Sequence, residues 1–107
     1  MAYLITKSMY PSHKAGEVAE KYLEALKKYP IDDNLETELV PAAVKSTSQG
    51  IGILGVSEVK EGNLDEAYAN KVKFMVLFQG IKGFEYSIDI NSTVIEALGL
   101  LGISPPE

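Results

Sequence analysis

The order in which the hydrophobic period changes along this chain constrains its fold most. Residues 3 to 10, YLITKSMY, are β-branched and aromatic and end at Pro11-Ser12, which predicts a strand. Residues 12 to 29, SHKAGEVAEKYLEALKKY, carry Ala15, Val18, Ala19, Tyr22, Leu23 and Leu26 at the spacing of one helical face. Ser12 suits the N-cap, Glu17–Lys21 and Glu24–Lys28 are favourable i,i+4 pairs, and Pro30 stops the helix. Residues 35 to 45 and 51 to 59, joined by STSQG, predict a hairpin. Pro41 assigns its first strand to a sheet edge or a bulge. Residues 64 to 79 predict a second helix, with Asn63 and Glu66 at capping-box spacing and Gly80 as the residue after it. VKFMVLF within it also fits a strand, but the capping signal and the 64–72 periodicity favour helix. Residues 84 to 91, FEYSIDIN, alternate apolar and polar as a half-buried strand does. Thr93 and Glu96 repeat the capping-box pattern before VIEALGLL, which Gly102 and Pro105-Pro106 end.

The resulting order, β-α-β-β-α-β plus a C-terminal helix, predicts one α+β domain over residues 1–107 with a ferredoxin-like arrangement. Right-handed crossovers put both long helices on one face of a four-stranded antiparallel sheet, in strand order 4-1-3-2. On the last strand Phe84, Tyr86, Ile88 and Ile90 then face the helices, and Glu85, Ser87, Asp89 and Asn91 face away. The central strands do not divide so cleanly. Either Leu54 and Val56 or Ile51 and Ile53 must lie on the open face. The first strand is apolar on both sides, with Tyr3, Ile5 and Met9 against Leu4 and Tyr10. Strands apolar on both faces need cover on both, and a second copy of the sheet is the simplest cover. The C-terminal helix, with Val94, Ile95, Leu98, Leu100 and Leu101, also needs a surface to dock on.

Composition narrows the partners. The chain has 107 residues, 46% of them apolar, enough for one core. It has no run of about 18 apolar residues and so no expected membrane span. Its first residues lack the basic and apolar regions of a signal peptide, so a cytoplasmic location is expected. Without Cys there is no disulfide or thiolate chemistry. All ten basic residues are Lys and the net charge is −5, which argues against nucleic acid and anionic membranes as partners. Small molecules and further copies of the chain remain. GIGILG has the G-x-G-x-x-G spacing but lies inside a strand, so it is not a phosphate loop. One His and no clustered carboxylates beyond Asp32-Asp33 argue against a metal site, and no cofactor is expected.

Over residues 3 to 91 the chain resembles the dimeric α+β barrel superfamily, in which two ferredoxin-like subunits pack sheet to sheet. The resemblance rests on YLITKSMYPSHKAGEVAEKYLEALKKYP, where a strand runs through Tyr10-Pro11 into a helix, and on the later GVSEVKEGNLDEAYANKVKFMVLFQGIKGFEYSID. It implies a homodimer. It leaves open several functions: cofactor-free oxygenase, isomerase, haem enzyme, or regulatory ligand-binding domain.

Six residues are candidates for chemistry. His13, at the strand-to-helix junction, has the only unperturbed pKa near neutrality and is the candidate acid/base; its plainer reading is a solvated first-turn residue. Asp89 is the second catalytic candidate. Tyr10, Lys45, Glu85 and Ser87 are candidates for holding a ligand. Glu85 and Asp89 stand roughly 13 Å apart along a strand, too far for a retaining glycosidase pair. In water their row is an ordinary polar edge. Enclosed by a partner sheet it lines a lumen with Thr6 and Ser8, or with Lys7. The six Tyr residues are expected at the rim of the core or around a pocket for an aromatic ligand. Three readings follow: a small-molecule enzyme, a non-catalytic binding or regulatory module, and an oligomeric interaction protein.

Overall fold

A computed structural model describes residues 1–104. The N-terminal run forms β1 (Ala2–Tyr10), which pairs antiparallel on both sides, with β3 (Gly50–Val59) and with β4 (Glu85–Ser92). β2 (Glu36–Thr47) pairs antiparallel with β3, so the sheet order is β2-β3-β1-β4. Pro41 lies on the edge strand β2, where the register with β3 shifts between Glu38 and Ala43. A ring without an N–H is tolerated there because the ladder is already interrupted.

Helices α1 (Ala15–Lys28) and α2 (Leu64–Val76) cover one sheet face. A short helix, α3 (Val94–Leu100), follows β4. The architecture is α+β with a four-stranded antiparallel sheet and three helices, compatible with a ferredoxin-like fold. Two clusters form the core. Tyr10, Val18, Ala25, Phe78 and Ile81 make one, and Leu4, Leu35, Val59 and Ala67 the other. No helix among the described residues is long and apolar enough to cross a membrane.

Helix ends separate local rules from tertiary ones. Ser12 does not cap α1. It opens a 3-10 turn (Ser12–Lys14) after extended Pro11, and α1 starts at Ala15, where its apolar spacing begins, three residues after the expected start. Asn63 makes no side-chain cap on α2 either; its side-chain amide donates to the Asn34 carbonyl at 3.3 Å. α2 ends at Val76, before Gly80. Tight turns through residues 77–84 then carry Phe78 and Ile81 into the core. At α3 the Thr93–Glu96 capping box is complete. The Gly102 N–H donates to the Gly99 carbonyl and the Ile103 N–H to the Leu98 carbonyl, closing the helix with Gly102 at φ 72°. Pro105-Pro106 lie outside the described residues.

Register with β1 decides the faces of β3. Tyr10 pairs with Ile51, Ser8 with Ile53, Thr6 with Gly55 and Leu4 with Ser57, so these rows face the helices. Tyr3, Ile5, Met9, Leu54 and Val56 lie on the open face.

Gly50 opens β3 at φ 137°, and a Cβ there would meet the Tyr10 carbonyl. Gly50→Ala therefore combines backbone strain with a clash against main chain. We expect a loss of more than about 1 kcal/mol in unfolding free energy by urea denaturation.

Candidate functional site

The centre of the helix-facing sheet is unusual for a core. Thr6 and Ser8 stand on β1, and Gly55 and Ser57 on β3, where close packing calls for branched apolar side chains. Thr6 and Gly55 are partners, and a Cβ on Gly55 would lie 2.7 Å from the Thr6 hydroxyl. Helix α1 spans this floor without filling it. The space left is a cavity of about 210 Å³, bounded above by Val18, Tyr22 and Leu26 and below by Val40, Val44 and Ile53.

Aromatic rings line it in a continuous series. Tyr10 stacks on Phe84 with centroids 5.9 Å apart, Phe84 on Phe78 at 5.0 Å, and Phe78 meets Phe74 at 5.9 Å. Tyr22 from α1 meets Phe74 edge-on at 6.1 Å, which ties the two helices together across the cavity. Burial pushes the Tyr10 phenol up. It does the same at Tyr22, with the charge of Glu38 adding to it. Both phenols are therefore neutral at pH 7 and can donate a hydrogen bond.

Polar groups concentrate at the Ser57 end. Ser57 is 3% exposed and its hydroxyl has no hydrogen-bond partner among the described residues. Its β2 neighbour Glu38 also lines the cavity. Lys71 reaches the same end from α2 and places its ammonium 3.3 Å from Oε1 of Glu36, which is 3% exposed. That contact is an ion pair but not an aligned hydrogen bond, so Oε1 still has an open acceptor position. The ammonium also sits 5.9 Å from the Phe74 ring centre.

The six sequence candidates fall in three places. Tyr10 is buried and lines the cavity. Glu85, Ser87 and Asp89 are exposed on the open face, where Ser87 Oγ lies 3.5 Å from Asp89 Oδ2. Lys45 is exposed on that same face, opposite Gly52. His13 is exposed in the 3-10 turn, away from both groups. Thr6 and Ser8 face the helices, so the neighbour of the Glu85–Asp89 row on β1 is Lys7. Sequence reasoning missed Ser57, Glu38, Glu36 and Lys71. Their available signal was polar side chains at helix-facing positions, which becomes readable only once the register is known. Among the described residues no three His, Asp or Glu side chains cluster as metal ligands.

No family model and no curated protein matches the chain. Among solved structures it is similar to the de novo designed protein Foldit4, with TM-score 0.52 and 7% identity, over 87% of this chain and 99% of that one. That likeness concerns the fold alone.

The Glu36–Lys71 pair yields a stability test. Lys71→Met leaves a buried carboxylate without its counter-charge and should cost about 3 kcal/mol in urea denaturation. Adding Glu36→Gln to the same chain should recover most of that loss.

Proposed function

We propose that this protein binds a small molecule in the cavity between α1 and the sheet. The carrying observation is the unfilled space over a floor of Thr6, Ser8, Gly55 and Ser57, with a buried hydroxyl left unpaired. Empty space and an unpaired hydroxyl both cost stability, and a bound ligand would offset both. An engineered cavity of roughly 150 Å³ admits benzene. The cavity here, about 210 Å³, suits a ligand of roughly eight to ten heavy atoms on that scale. Binding is favoured over catalysis because His13 and Asp89 stand on different surfaces and the cavity-lining phenols are neutral. An oxygenase or isomerase reaction would have to run through Tyr10 or Tyr22 instead.

Ser8→Leu fills the floor. It should raise the melting temperature and abolish the saturation-transfer NMR signals that small aromatic molecules give with the wild-type protein. Equal signals from both proteins would move binding outside the cavity.

A second reading concerns the open face and takes a second copy of this chain as its occupant. Tyr3, Ile5, Met9, Leu54 and Val56, with Lys7 among them on β1, separate Lys45 on the β2 edge from Glu85 and Asp89 on the β4 edge. A two-fold axis along the strands lays β2 of one copy over β4 of the other, so these charges meet as opposites. This is the dimeric α+β barrel that the sequence resembles, and it would enclose Lys45, Glu85, Ser87 and Asp89 in a lumen. The exposed α3 residues Ile95 and Leu100 would add apolar area. Sedimentation equilibrium should show a dimer at micromolar concentration and a monomer for Leu54→Lys. A folded wild-type monomer rules this pairing out.

A further inference from the structure

We propose that the ligand of the sheet–helix cavity is a small primary amine with an apolar body, its ammonium held at the Ser57–Glu38 end. This rests on the cavity reading above and goes further by naming the head group. Two carboxylates, Glu36 and Glu38, stand near that end against one ammonium, Lys71. Glu36 already engages Lys71, so the negative charge of Glu38 is left over. The remaining buried group is the hydroxyl of Ser57, a residue 3% exposed that lines the same space and whose hydroxyl has no partner among the described residues. An ammonium has three donors and no acceptor. Ser57 Oγ and Glu38 both accept, and water at the cavity mouth takes the third donor. The aromatic rings of Tyr22 and Phe74 line the same cavity and supply the apolar surface for the body of the ligand. A carboxylate head would be repelled by Glu38 and would compete with Glu36 for Lys71. A hydroxyl head would satisfy Ser57 but gain nothing from Glu38. The net charge of −5 raises the local concentration of cationic ligands in the same sense.

Isothermal titration calorimetry with phenethylamine, phenethyl alcohol and phenylacetate tests this, because the three share an apolar body and differ in head group. The amine should bind at least about tenfold more tightly than the alcohol, and the acid most weakly. Glu38→Gln, at an exposed position, should remove the advantage of the amine over the alcohol. Equal binding of amine and alcohol, preference for the acid, or an amine preference that survives Glu38→Gln overturns the head-group assignment while the cavity reading stands. Failure of all three to bind the wild-type protein at millimolar concentration overturns both.

Discussion

The two-sided antiparallel pairing of β1 is the constraint on which the rest depends. With β3 and β4 both antiparallel to β1, β2 runs parallel to β1, and β4 runs parallel to β3. Each parallel pair is joined through a helix, and each helix must cross over a sheet face to return the chain. Both cross the same face. One side of the sheet is therefore roofed and the other left open. The cavity and the apolar outer surface are both consequences of that arrangement.

Under the roof, packing is uneven. Around Leu4, Val59 and Ala67, beneath the first turns of α2, the core is closed. Under α1 it is not, because the floor is made of hydroxyls and a glycine rather than branched side chains. The helix is held beside this gap by Tyr22, at its middle, against Phe74, and by Val18 and Ala25 in the cluster with Tyr10 and Phe78. The Glu36–Lys71 pair fastens the start of β2 to α2 on the far side. Such a frame keeps a space open without needing a ligand to form it, which is the property a binding cavity requires.

The open face presents a different chemistry. It carries Lys7 on the inner strand β1 beside Leu54, and Lys45, Glu85 and Asp89 on the two edge strands, so its charges are positioned by strand alternation and not by any enclosing wall of the single chain. The two surfaces are separated by the sheet itself. Side chains on adjacent strand residues, such as Ser8 and Met9, belong to different sites.

The local period of the sequence determined the type and order of the elements, the inward row of β4 and the capping of α3. Each of these depends on residues within a few positions of one another. Tyr10, which ends β1 just before the turn into α1, lines the cavity. The faces of β3 were not legible, since Ile51 and Ile53 are as apolar as Leu54 and Val56, and only pairing with β1 distinguishes them. The expected caps at Ser12 and Asn63 do not form: Ser12 opens a 3-10 turn, and the Asn63 amide donates to Asn34, 29 residues away. The cavity was the least legible feature. Thr6, Ser57 and Lys71 come from three different elements, and their convergence depends on strand register and on how the helices seat on the sheet. Tertiary structure alone decides those distances, because no local preference encodes the contacts a side chain fails to make.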